Sequence, residues 1–537
     1  MKKLSALFVA CLILIVGCGA PMDDLGLQTL ETAEDFSHVE EDSSPVEDAW
    51  DLDILLSESL SDAEYAMEPR MTPGSVEQIF IDHIPNSEEY LTINENTRVF
   101  TSHEPTLTFS LKIDTASYRN TLRHINSGNL PPADAVRTEE FINYFTYDQQ
   151  MPEPDGPFSI HTEIGQSIFN SNNHMAFIRV RSRDIDRADL PPSNLTFLID
   201  TSGSMSPHNR LPLLQSAFGL LVETLTENDV VSIVTYASGS GVVLDSVRGD
   251  RKDEIMYAIN ILRAGGSTAG ADGIQTAYAL AEKNYMPNAN NRIILATDGD
   301  FNVGVASISE LEDLISNKRQ TGIYLSILGV GMGNLRDSVM ETLAKHGNGN
   351  YHYIDNLSEA RKVLVDEATA NLFTIADDVK AQVEFNPDLV SSYRLIGYEN
   401  RALRNEDFED DQVLASAIGI GTDVVVMFEL ELNDDIADSP VGELFDVRIR
   451  YKDPGDTVCR LITHPVREDR ILESNSADFN FASAVAAFAH ILRGSDFTGE
   501  ANINTVITQA RANLGVDEFG HRKEFVEMAL RSRGLLD

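Results

Sequence analysis

The stretch "LTFLIDTSGSMS", residues 195–206, decides the fold. It opens on a short, mostly apolar run of the kind that forms a strand buried on both faces. The run ends in an acid, Asp200, and alternate hydroxyls follow at Ser202 and Ser204, around Gly203. A second run, "NRIILATDG" at 291–299, ends the same way and places Asp298 just beyond its strand. In an open α/β sheet, ligands bind outside the carboxyl ends of the strands, so both acids are expected on one rim. Between them, "LRAGGSTAG" at 262–270 sets Thr268 on a glycine-rich loop, with Ser267 beside it as an alternative oxygen donor.

Outward from these motifs, residues 194–372 alternate strand-like and helix-like segments. "SISELEDLISNKRQTG" is a well-punctuated helix. Ser307 and Glu310 match a capping box, Lys318 and Arg319 occupy the last turn, and Gly322 follows. "SEARKVLVDEATANLF", ending at Phe373, reads as one further helix. Such alternation predicts an α/β domain with a doubly wound, mostly parallel sheet covered on both faces.

The flanks are different. Residues 76–150 contain "LKIDTASYRNTLRHINSGNLPPADAVRTEEFINYF", which reads as a strand and two helices, with Asp114 or Thr115 near the first cap. Residues 158–183 and 376–468 carry alternating apolar and polar strands, as half-buried antiparallel sheets do. We expect these two segments to pair into one β-sandwich into which the α/β domain is inserted. Residues 477–535 form a helical C-terminal region.

At 537 residues the chain exceeds one core. Its net charge of −44 argues against nucleic-acid binding, which needs basic surface to displace counterions from phosphates. Residues 1–18 combine "MKK" with a short apolar run, a secretory signal too short to be a spanning helix. The signal ends in "IVGC", which resembles a bacterial lipobox. That resemblance implies lipidation at Cys18, a membrane anchor through acyl chains, and placement on the cell envelope, at the outer membrane in a Gram-negative cell. Residues 19–75 read as an acidic disordered tether, with sixteen acids and one base between 21 and 70 and the only tryptophan, Trp50. Of three cysteines, Cys11 and Cys18 fall in the signal and Cys459 stands alone, so no internal disulfide is expected.

Carboxylates and hydroxyls are hard oxygen donors, suited to Mg²⁺, with Mn²⁺ or Ca²⁺ as alternatives. Two carboxylates only balance a divalent charge, which leaves the metal able to take a partner's Asp or Glu. D-x-S-x-S at 200–204, the threonine of "GGST" and "ATDGD" at 296–300 together resemble the von Willebrand factor type A (VWA) family. The resemblance implies a Rossmann-like VWA fold and a metal-ion-dependent adhesion site (MIDAS) at Asp200, Ser202, Ser204, Thr268 and Asp298. The segment from 107 to 145 and the "FASAVAAFAHILRGS" region resemble the bacterial YfbK-like family. The implied function is an envelope-anchored, metal-dependent protein-binding or adhesion module that captures an acidic side chain, and not an enzyme. Its rivals are a metal-assisted hydrolase and a structural scaffold with a vestigial metal site. G-x-x-x-x-G-K, H-E-x-x-H and G-x-S-x-G are absent from the sequence, which weighs against the hydrolase. His161, His174 and His208 are the histidines with a chance of approaching the rim.

Overall fold

Three sheets organise the chain, in a computed structural model that describes residues 87–536 apart from 113, 149–150, 152–155, 269, 300–307 and 434–441. The signal with Cys18, the acidic tether with Trp50, and the Ser307 cap lie outside the described residues.

The N-terminal strands are β1 (Val99–Phe100), β2 (Thr106–Ser110), β3 (Phe158–Gln166) and β4 (His174–Ser182). The α/β domain follows with β5 (Ser193–Asp200), β6 (Val230–Tyr236), β7 (Ser240–Arg248), β8 (Asn290–Thr297), β9 (Ile323–Gly329) and β10 (Asn348–Tyr353). After it come β11 (Thr374–Phe385), β12 (Val390–Ile396), β13 (Ala402–Leu403), β14 (Ser416–Gly419), β15 (Asp423–Leu432), β16 (Glu443–Lys452) and β17 (Cys459–Arg467).

The central sheet runs β10-β9-β8-β5-β6-β7, parallel except for β7. All eight residues of β5 are buried, as a doubly covered central strand requires. One face packs Phe197 and Ile199 against Leu214, Phe218 and Ile255, and the other packs Leu198 and Leu295 against Ile274, Tyr278 and Leu311. The chain leaves β5 toward β6 on one side and returns to β8 on the other. The point where strand order reverses therefore lies between β5 and β8.

Both antiparallel sheets are built from chain on either side of this domain. One runs β1-β12-β15-β4-β3 and the other β13-β2-β11-β16-β17. β4 pairs with β15 and β2 with β11, so the α/β domain is inserted into the sandwich. Phe109, Ile178, Val383, Phe428 and Val447 fill the space between the sheets. The far side of the first sheet, at Met175, Phe177, Val425 and Met427, packs on helices Ala116–Asn126, Thr138–Ile142, Ala477–Arg493, Ile503–Ala512 and His521–Leu536. No helix among the described residues is long and apolar enough to cross a membrane.

Local details depart from the sequence reading. The first helix is not capped by its own chain neighbours. Asp114 accepts from the Tyr351 amide, Thr115 bonds His352, and the Ser117 amide instead donates to Glu140. The single helix expected at 358–373 is broken into Leu357–Arg361, a π-turn at Lys362–Asp366, and Ala368–Leu372. The Glu367 amide reaches back five residues to the Lys362 carbonyl, and Asn371 Nδ2 donates to the Val363 carbonyl. His161 and His174 sit on β3 and β4 in the sandwich, away from the rim strands. Cys459 is half-buried on the edge strand β17, its thiol donating to Asp411, with burial raising its pKa.

Buried ion pairs hold the inserted domain in place. Arg137, at the start of the second helix, pairs with Glu140 and reaches Asp337 of the α/β domain at 2.5 Å. Arg401, from the sandwich, joins Asp114 and Glu341 at 2.8 and 3.1 Å. All six side chains are at most 4% exposed.

Candidate metal centre

β5 and β8 are neighbours in register, with Ile199 opposite Ala296, so their carboxyl ends deliver Asp200 and Asp298 side by side. This is the point of strand-order reversal, where a crevice opens in folds of this kind. Both carboxylates are fully buried. Asp200 Oδ1 accepts from the Ser202 amide at 2.8 Å and Oδ2 from the Thr297 hydroxyl at 3.1 Å. Burial, with a contribution from neighbouring Asp298, pushes Asp200 up to about 6 despite these bonds. A second carboxylate beside it in a dry pocket adds to the cost of ionising Asp200.

Ser202 and Ser204 follow on a tight turn, their hydroxyl oxygens 3.0 Å apart. The turn is stitched to its surroundings. The Thr201 amide donates to the Tyr236 carbonyl, Gly203 N to Gly266 O at 3.0 Å, and Gly265 N to Thr201 O at 2.8 Å. Gly266 takes φ +87, and a Cβ there would lie 2.5 Å from Ser238 Oγ. The glycines of "LRAGGSTAG" thus let this loop press against the "DTSGS" turn. Ser267 is engaged with Ser238, through its amide at 3.1 Å and its hydroxyl at 3.4 Å. Half-buried Thr268 follows on the same loop, just before the helix Gly270–Lys283.

A third rim loop, after β9, went unnoticed in the sequence. Arg210 extends into the site between this loop and the "DTSGS" turn. Its Nη1 donates to Asp298 Oδ2 at 2.5 Å and to the Ser204 carbonyl at 2.7 Å. Its Nη2 donates to the Met332 carbonyl and to Asn334 Oδ1, at 2.7 and 2.8 Å. Asn334 Nδ2 completes the cluster at Asp298 Oδ2, 3.1 Å away. Gly331, at φ +78, leaves the room that Arg210 uses, since a Cβ there would lie 2.3 Å from Nε. One signal was available. Arg210 stands at the N-cap of the helix Leu211–Thr224, where the helix dipole disfavours a cation, so its charge needs a partner elsewhere.

The loop is in turn held by the first described residues. Ser87 N donates to Gly333 O and Glu89 N to Leu335 O, both at 2.9 Å, and Glu88 accepts from the Gly333 amide at 2.7 Å. Burial works to raise the Glu88 pKa, but hydrogen bonds from His124 and Arg123 hold it well below the usual carboxylate range.

The donor set fits a hard divalent cation in kind: two carboxylates and up to three hydroxyls. Among the described residues no group of three or more His, Cys, Asp or Glu side chains gathers as a metal site. His208 lies exposed in the loop between Ser204 and Arg210.

A strand-order reversal flanked by D-x-S-x-S and T-D-G loops defines a VWA domain, and the VWA domain family matches residues 194–366. A von Willebrand factor family matches 84–176, and the C-terminal family of uncharacterized protein YfbK matches 370–535. The chain is 40% identical over 475 residues to uncharacterized protein YfbK of Escherichia coli (strain K12), an alignment covering 84% of this chain and 82% of that one. The chain belongs to the YfbK family. It is also 28% identical over 184 residues to uncharacterized protein sll0103 of Synechocystis, covering 34% of this chain and 42% of that protein. Among solved structures, a von Willebrand factor type A protein from Catenulispora acidiphila aligns with TM-score 0.44 and 16% identity, over 72% of this chain and 91% of that one. Family membership supports a VWA-type protein-interaction module in general.

Proposed function

We propose that this protein is an envelope-anchored binding module that captures an acidic side chain of a protein partner through a divalent cation. In this reading Asp200, Ser202, Ser204, Thr268 and Asp298 hold the ion, with Mg²⁺ preferred and Mn²⁺ or Ca²⁺ as substitutes. The observation that carries it is the meeting of two fully buried carboxylates with the paired serine hydroxyls at the point of strand-order reversal. Thr268 is preferred to Ser267 because the Ser267 hydroxyl is already engaged with Ser238. The ion supplies a Lewis-acidic seat for an anionic oxygen. The chain's own part is to hold the donors through the Thr201–Tyr236, Gly203–Gly266 and Asp200–Thr297 bonds, and to keep the floor of the seat dry. Lipidation at Cys18 would fix the module to the membrane, with residues 19–75 as the tether.

The test is partner capture from envelope extract by the lipid-free protein, with Mg²⁺ or with chelator. Capture that requires Mg²⁺ and fails in Asp200→Ala supports the reading. Capture indifferent to both would refute the metal bridge and favour the scaffold.

A further inference from the structure

We infer that Arg210 is a built-in counter-cation that keeps the metal seat short of negative charge, so that metal and partner carboxylate must bind together. The inference rests on the metal seat proposed above and specifies how it is regulated.

The argument is one of charge and placement. Asp200 and Asp298 would by themselves neutralise a divalent ion. The Arg210 side chain, only 11% exposed, contacts Asp298 directly through its guanidinium and so offsets one of the two charges. A divalent cation seated there is left with about one uncompensated positive charge. In a site with little water that deficit weakens the metal alone, and one incoming carboxylate removes it. By linkage, whatever the carboxylate adds to metal affinity, the metal adds to carboxylate affinity. The seat would then be poorly filled until a partner arrives, and the partner poorly held without the ion.

Placement supports a device rather than a coincidence. Arg210 stands at a helix N-terminus, where its charge is disfavoured. It is held there by acceptors on two loops, Ser204 O on one and Met332 O with Asn334 Oδ1 on the other. Gly331 is left without a side chain where the guanidinium passes. Arg210 is thus a positioning and tuning residue, with no direct role as a metal ligand.

The experiment titrates Mn²⁺ calorimetrically into wild type, Arg210→Met and Arg210→Lys. Each titration is run alone, with a terminally blocked Gly-Glu-Gly peptide, and with Gly-Gln-Gly as control. Arg210→Met should bind Mn²⁺ alone about tenfold more tightly or better, the scale of one partly screened charge. The enhancement by the Glu peptide should shrink correspondingly. Arg210→Lys keeps the charge but loses the forked hydrogen bonds, and should bind Mn²⁺ alone less tightly than Arg210→Met does. If Met and Lys variants change alike, or if Arg210→Met binds Mn²⁺ no more tightly, Arg210 is a structural brace and the inference fails while the metal seat stands. If none of the three proteins binds Mn²⁺ even with the Glu peptide, the metal seat itself fails.

Discussion

Replacing Asp200 with asparagine should make the metal-free protein more stable while abolishing its response to metal. Asp200 is fully buried beside Asp298, and its rise from 3.8 to about 6 corresponds to about 3 kcal/mol against the ionised form at neutral pH. Asparagine removes that charge. Its carbonyl oxygen can keep the Ser202 amide, but the Thr297 hydroxyl then faces an NH2 group and loses its carboxylate acceptor, a loss of about 1 kcal/mol. The net gain without metal is about 1–2 kcal/mol. Wild type, by contrast, should gain about 2.7 kcal/mol from metal at one hundred times its dissociation constant. Urea unfolding of both proteins at pH 7.5, with chelator and with Mg²⁺, reads the two effects separately, with tryptic cleavage between 194 and 372 as a second probe. A variant less stable than wild type in chelator, and equally stabilised by Mg²⁺, would refute a strained acidic seat built to receive a cation.

Other perturbations reach the frame and the strap. Arg137→Met removes the cation from a buried group of three acids, Glu140, Asp337 and Glu341, and should cost about 3–5 kcal/mol in urea unfolding. Glu88→Gln should release the loop after β9, seen as roughly tenfold faster amide exchange at 331–336 with unchanged exchange in β5, since one charge-assisted bond is worth about 1.5–3 kcal/mol. His490 is enclosed between Phe169 and the helical core, where burial and then Arg394 and Arg493 push its pKa down to about 3. The unfolded chain therefore takes up a proton at this residue between about pH 6.5 and 3 that the folded chain does not. Its contribution is complete above pH 6.5 and is lost as pH falls, by about 3 kcal/mol at pH 4. His490→Phe should flatten the acid side of a stability–pH curve by that amount, and superimposable curves would count against the assignment.

The fold was legible where pattern and chemistry coincide. β5 reads as buried and is buried along its whole length, and its carboxyl end places Asp200 beside Asp298 as the strand-end rule anticipates. The insertion was legible because alternating, antiparallel-type strands stand on both flanks of the α/β domain, and β4 does pair with β15 across it. What stayed hidden was set by tertiary contacts. Nothing local distinguishes a continuous helix at 358–373 from one broken by the Lys362 and Val363 carbonyls taking other partners. The cap on the first helix comes from Glu140, more than twenty residues away. Arg210 was overlooked because a basic residue before a helix looks like surface, and only the loop after β9 reveals what it holds.

These contacts also determine how the domain can respond to a partner. Rotation of the whole α/β domain within the sandwich would have to break Arg137–Asp337, Arg401–Glu341, Arg119–Asp355 and the Tyr144–Glu359 bond, nearly all in dry surroundings. Each would leave a buried charge unpaired, which costs several kcal/mol and exceeds what one captured carboxylate returns. The rim is tied by a second network. From Asp298 a chain of contacts passes through Arg210 and Asn334 to Gly333, and from Gly333 to Glu88 and Ser87. If the proposed function holds, a pull on a carboxylate at the seat would reach this path before the ion pairs of the frame, because Asp298 is its first member. That path ends on the first helix, where Arg123 and His124 hold Glu88.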